Sequence, residues 1–341
     1  MMHLPKSRGV EFTLIAETGP RFSDFAPFVP SVNNSGVVAF QAALTGGGSG
    51  VFTSAGHDPV AIVETSSSEL SLIESHPDIT DHGSVSFYAR LKSGGQGVFL
   101  VRENAVIPIA TEGDLISSIG PLGPSMDRQD KVAFRAGMKS GASGIFTGQA
   151  GMVSSVADTN SEYSGFQGIP VINQSGTVVF RADRRQGGHG IYTSTGGTLK
   201  TIAESGATFG ELGLFPAIND EGVVAFCASF KVGGAGVFLI DNEKLTTLVD
   251  SSTGFESFRG VLINRVGLVA FYATPVGGRL GIYRGPEPLR DRVVGIGDPV
   301  LGSVVMSFAL NPVSVNERGQ IAARVSLEDG RQVILRSDVL T

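Results

Sequence analysis

One nine-residue pattern recurs seven times along this chain and limits what it can fold into. It reads VNNSGVVAF from Val32, INQSGTVVF from Ile172, INDEGVVAF from Ile218 and INRVGLVAF from Ile263. Weaker copies are ITDHGSVSF from Ile79, MDRQDKVAF from Met126 and VNERGQIAA from Val315. The aromatic that ends it stands at Phe40, Phe87, Phe134, Phe180, Phe226 and Phe271, with Ala323 in the last copy, so the spacings are 47, 47, 46, 46, 45 and 52. A fixed period of this length marks a repeat architecture.

Each copy carries four strand signals. A proline-containing segment (FVPSVN, GIPVIN, LFPAIN) runs into an N-x-x-G turn, in which Asn and Gly are expected to supply positive φ. A second strand of the GVVAF type follows, then a Gly-rich loop, then a third strand such as GVFTS or GIYTS. A fourth ends in an acidic or polar residue, as in VAIVET and TLKTIAES. Four short antiparallel strands in about 46 residues make one propeller blade. The chain therefore reads as a single all-β domain over 1–341, a seven-bladed β-propeller. Its blades fall near 20–65, 66–112, 113–158, 159–204, 205–250, 251–298, and 299–341 together with 9–19.

The last of these assignments follows from the ends. The seventh copy starts at Asn316 and stops at Thr341, short of its fourth strand, while EFTLIAETG from Glu11 matches TLKTIAESG. Adding that strand to blade seven closes the ring and pairs the last edge, whereas an open solenoid would leave it unpaired. The strand after the shared fourth strand is then innermost. Pro30, Pro77, Pro124, Pro170 and Pro216 sit in it, and proline, which cannot donate to a ladder, suits an edge facing a channel.

Composition narrows the function classes. The formal net charge is −6, which disfavours a nucleic-acid binder. One cysteine, Cys227, allows no internal disulfide and reads as a small buried hydrophobe. No apolar run reaches the length of a membrane span, and the opening residues show no signal peptide, so a complete chain would be cytoplasmic. A closed propeller is expected to be monomeric.

The tandem N-x-x-G-x-x-A-F pattern resembles a bacterial repeat family found in large exported proteins with varied C-terminal anchors. That resemblance implies a propeller at or near the cell surface and carries no settled activity. The absence of tryptophan sets the chain apart from WD40 and kelch propellers.

Candidate chemistry is sparse. Five residues after the aromatic position stand Lys92, Lys139, Arg185 and Lys231 in blades two to five, joined by Arg184. They form a basic arc on the face of the Gly-rich loops, either an anion or acidic-partner site or solvated loop charge. One residue after the aromatic stand Arg135 and Arg181, and the fourth strands end in Glu17, Glu64, Asp158, Glu204, Asp250 and Asp298; the expectation is a ring of arginine-to-acid ties and acid-to-turn hydrogen bonds, the alternative one unpaired acid acting as a general base. His76 and Asp78 flank Pro77 near the channel mouth, and His189 lies beside Arg184. His3, His57 and His82 complete the histidines. None sits at metal-ligand spacing, so neither metal nor cofactor is expected. The Gly clusters precede strands, not helices, and so are hairpin loops and not phosphate cradles.

The leading expectation is a non-catalytic binding or scaffold propeller that presents its loop face to a protein or glycan partner or to a small anion. The alternative is an enzyme or small-molecule binder with a polar pocket at the channel mouth, using Arg135, Arg181, His76 or Asp78.

Overall fold

The computed structural model describes residues 10–339, so His3 and the rest of 1–9 lie outside the described residues. The seven copies form seven antiparallel sheets in a ring, a seven-bladed β-propeller. In blade 1 the order from the axis outward is Phe22–Asp24 with Ser31–Val32, then Val38–Leu44, Ser49–Ser54 and Val60–Glu64. The inner strand breaks into two pieces around Pro30, and likewise around Pro77, Pro124 and Pro216.

The N-terminal strand Val10–Glu17 pairs antiparallel with Gln332–Val339 and completes blade 7. Its irregularity is informative. Each outer strand bulges opposite the start of the third strand, at Val51/Phe52 in blade 1 and Ile191/Tyr192 in blade 4. The N-terminal strand bulges in the same place, between Leu14 and Ala16. It is thus the missing outer strand in detail, carrying Ile15 into the core between blades 7 and 1.

Sequence explains the blade interior. The aromatic of the second strand stacks on one in the third: Phe40 on Phe52, Phe134 on Phe146, Phe226 on Phe238, with centroids 5.7–5.8 Å apart. Such pairs add about 0.5–1.5 kcal/mol each beyond buried area. The third-strand aromatic folds back over the glycine two residues before it. A Cβ on Gly50 would lie 2.8 Å from the Phe52 ring and 2.9 Å from the Val63 carbonyl oxygen. That is why the third strand opens G-V-F or G-I-Y: the fold needs the missing side chain.

The turn asparagines act differently from expectation. Positive φ belongs to Gly36, Gly83, Gly176, Gly222, Gly267 and Gly319, and to Asp130 in blade 3. The asparagine holds the turn through its side chain: Asn33 Oδ1 accepts from the Ser35 and Val37 amides at 3.1 and 3.0 Å. Its Nδ2 donates to the Thr80 carbonyl of the next blade at 3.0 Å. Asn173 reaches the Asn219 carbonyl, Asn264 that of Asn316, and Asn316 that of Asn33, where the last blade meets the first. The repeat's most constant polar residue is therefore a tie between blades.

Candidate functional site

Two regions could carry function, the central channel and the face of the Gly-rich loops. The channel is narrow, with a cavity of about 90 Å³. The residue before each turn asparagine lines it, giving an aliphatic collar of Val32, Ile79, Met126, Ile172, Ile218, Ile263 and Val315. Above the collar, side chains one residue past the asparagine meet across the mouth. Arg265 lies 3.4 Å from Asp81, 3.6 Å from Asp220 and 3.7 Å from Glu317. Arg128 lies 3.5 Å from Asp81 and 2.6 Å from Glu317. Five blades thus meet in one charge network over the axis. The column next to the turn asparagine held this signal, and the sequence reading passed over it.

The channel candidates are structurally committed. Asp78 Oδ2 accepts the Met126 amide of the next blade at 2.7 Å. Ser125, its counterpart in blade 3, accepts the Ile172 amide at 3.0 Å in the same way. Burial pushes the Asp78 carboxyl up to about 7, against the Met126 and Ile79 amides that favour its charge. His76 Nδ1 accepts the Val29 amide at 2.9 Å, so that nitrogen carries no proton. Burial, aided by Arg324, holds the imidazole down to about 4.

The strand-two arginines do not bond the fourth-strand acids, contrary to expectation. Each reaches a backbone carbonyl of the next blade's inner strand, Arg135 that of Gly168 at 3.1 Å and Arg181 that of Leu212 at 3.3 Å. The reason is direction: the side chain after the stacked aromatic points toward the neighbouring blade, level with its kinked inner strand. Arg181 also pairs with Asp183 of its own strand at 2.9 Å. The expected acid-to-turn bonds are present, Asp158 accepting the Asn160 amide and Asp250 the Ser252 amide, while Glu204 pairs with a different arginine, Arg184. Cys227 is buried, and burial pushes its thiol up to about 12, away from nucleophilic chemistry.

On the loop face, the basic positions are true equivalents. The amides of Lys92, Lys139, Arg185 and Lys231 donate to the carbonyls of Glu69, Leu115, Glu162 and Thr208, each just before its blade's inner strand. The three lysines are exposed, and among the described residues none has an ion-pair partner. Arg185 is spent on the Ser161 and Thr159 carbonyls. Exposed Glu69 lies beside Lys92 and exposed Glu162 beside Arg185, so the arc is not one continuous positive field.

Between blades 4 and 5 this face opens into a groove of about 580 Å³ that brings Arg184, His189 and Lys231 together. Its floor is a hydrogen-bonded network. Asp183 takes Arg181 on one oxygen and Gln167 on the other, at 2.9 and 3.0 Å. Arg184 pairs with Glu204 at 3.0 Å, and Glu204 also accepts from Tyr192. His189 Nε2 accepts the Leu212 amide at 3.0 Å, so the neutral ring keeps its proton on Nδ1. Burial holds the imidazole below its ordinary value, with Arg181 adding to that. Gly187, Gly188, Gly206 and Gly210 leave the walls bare. Asp183, Ser205 and Glu211 are polar groove residues the sequence reading missed. Asp183 was legible, since i and i+2 on a strand share a face and it follows Arg181 by two.

Among the described residues no three His, Cys, Asp or Glu side chains gather as a metal would require, and no helix is long and apolar enough to cross a membrane.

A family model matches residues 16–333. The chain belongs to DUF7453, a family of unknown function. No curated protein matches the sequence. Among solved structures, an oligogalacturonate lyase in complex with manganese matches with a TM-score of 0.58 at 8% identity, covering 98% of both chains. The oligogalacturonate lyase from Vibrio parahaemolyticus gives 0.55 at 9%, covering 97% of this chain and 98% of that one. The polysaccharide lyase Uly1 gives 0.54 at 10%, covering 95% and 93%. At such identities the DUF7453 chain shares a fold with these enzymes, and the likeness goes no further.

Proposed function

We propose that this chain is a binding propeller whose ligand site is the groove between blades 4 and 5 on the Gly-rich face. The observation that carries the reading is convergence: Arg184, His189 and Lys231 come from separate loops and strands to one open groove. The floor beneath them is already bonded, so the site is preorganised and a ligand need not order it. The reading is one of binding without bond chemistry. His76 and His189 each spend a ring nitrogen on a backbone amide, and Asp78 serves as an interstrand tie, so each already has a structural task. Lys92 and Lys139 lie along the same rim and would extend the contact to a larger protein or glycan partner.

A thermal-shift screen of small acids, amino acids and sugars tests this. Ligands that stabilise the wild type should lose that effect in Arg184→Ala with Lys231→Ala and keep it in Asp81→Asn at the far mouth. Ligands that stay bound to the first variant and leave the second would place the site in the channel and sink the reading.

A further inference from the structure

We propose that the groove takes a neutral, polyhydroxylated ligand, a sugar residue of a glycan, and not an anion. This rests on the groove being the binding site and names what it recognises.

The fixed charges are already spoken for. Arg181 is paired with Asp183 and Arg184 with Glu204, so neither guanidinium is left to neutralise a carboxylate or phosphate. The two remaining charges, Lys231 and Glu211, are exposed and of opposite sign, Glu211 lying 3.3 Å from His189 Nε2, so the groove carries no formal net charge. An anion entering here would meet no net positive potential.

What the groove does offer is directional hydrogen bonding at close quarters. The His189 side chain is 10% exposed, and its Nδ1–H has no partner among the described residues. Its tautomer is fixed from behind by the Leu212 amide, so it is a donor at the floor of the groove. Ser205 Oγ accepts the His189 amide at 3.0 Å and keeps its own proton to give. Carboxylate and guanidinium edges of Asp183 and Arg184 border the same space. Donors and acceptors gathered round one open space suit the hydroxyls of a sugar, each of which can give and take a hydrogen bond. A peptide side chain would want an apolar pocket, and the one aromatic here, Phe209, is 5% exposed and packed against Phe226 and Phe238. The glycine-bare walls leave the groove open at the surface, so a chain of sugars can pass through it.

The test is saturation-transfer NMR and calorimetry with neutral oligosaccharides of gluco, galacto, manno and xylo configuration, beside digalacturonate. Each is measured at about 50 and about 500 mM NaCl, up to about 10 mM ligand. At least one neutral sugar should bind with an affinity that salt leaves unchanged. His189→Gln keeps an acceptor for the Leu212 amide and removes the Nδ1–H. It should weaken that binding about five- to tenfold. Lys231→Trp, at an exposed position, should block it by bulk whether or not the His189 variant folds. Binding of digalacturonate alone, weakened by salt and by Lys231→Ala, would overturn the neutral-sugar assignment while leaving the groove as the site. Neutral-sugar binding indifferent to both His189→Gln and Lys231→Trp would overturn the groove itself. Silence from every sugar at the top concentration would overturn the glycan assignment.

Discussion

Replacing Asp78 by serine should stabilise this protein, and do so only above mildly acid pH. Folded Asp78 is buried between blades 2 and 3 and holds its proton up to about pH 7, whereas an unfolded aspartate releases it near 3.9. Between those values the folded state carries the extra proton. Stability from this group is therefore fully present below the lower value and is lost as pH rises through the upper one. The loss is about 1.4 kcal/mol per pH unit and about 4 kcal/mol in all. Serine is the right replacement because the fold already uses it there. Ser125 takes the Ile172 amide just as Asp78 takes that of Met126, so Asp78→Ser keeps the interblade bond and drops the charge. Urea unfolding of both proteins from about pH 4.5 to about pH 8.5 reads the effect directly. The difference between them should grow by about 3–4 kcal/mol in favour of the variant across that range. A flat difference, or a variant less stable at the alkaline end, would rule out a protonated, unpaired Asp78 in the folded state. It would mean that Asp78 is charged and usefully paired, most plainly by Arg265, whose charge favours the ionised form.

Other perturbations follow from the same geometry. His76 has the opposite sign: its folded value of about 4 lies below the unfolded one, so its stability holds above about pH 6.5 and falls by about 3 kcal/mol on acidification through 4. His76→Asn retains an acceptor near Nδ1 for the Val29 amide and should shift the acid unfolding midpoint downward. Gly50→Ala should cost about 2–3 kcal/mol, because its Cβ meets the Phe52 ring and the Val63 carbonyl. Gly46→Ala, with open space around it, should fall within about 0.5 kcal/mol of wild type in the same melts. Arg265→Ala removes the cation shared by Asp81, Asp220 and Glu317 and should cost about 1 kcal/mol at low salt. That loss should shrink in about 0.5 M NaCl, and a salt-independent loss would point to packing instead.

The fold was legible because the repeat fixes so much of it. The N-x-x-G-x-x-A-F copies located the second strand in each blade, and the G-V-F and G-I-Y strings located the third. The match of EFTLIAETG to TLKTIAESG located the closing strand, whose bulge between Leu14 and Ala16 follows that of the other outer strands. What escaped was anything decided between blades. The side chain after the aromatic was expected to meet an acid, but its partner is a carbonyl on a kinked inner strand, and carbonyls leave no trace in a sequence. The turn asparagine looked like a backbone-conformation residue, yet it works through its amide to the neighbouring blade. Arg128 and Arg265 differ from their column-mates and were not singled out, although they meet acids from three other blades over the axis. For the groove, Arg184 and Lys231 were read as parts of one arc over four blades and His189 as a neighbour of Arg184, not as one site between two blades. Only the ring geometry puts Lys231 of blade 5 beside His189 of blade 4, and only the Leu212 amide settles which nitrogen of His189 is the donor.

Crystals soaked in a mixed set of neutral disaccharides, uronates, amino acids and small carboxylates would show where this propeller holds its ligand. Ordered density should lie between Arg184, His189 and Lys231, touching the His189 Nδ1 edge. Density at the channel beside His76 or Asp78, with the groove empty, would contradict that placement.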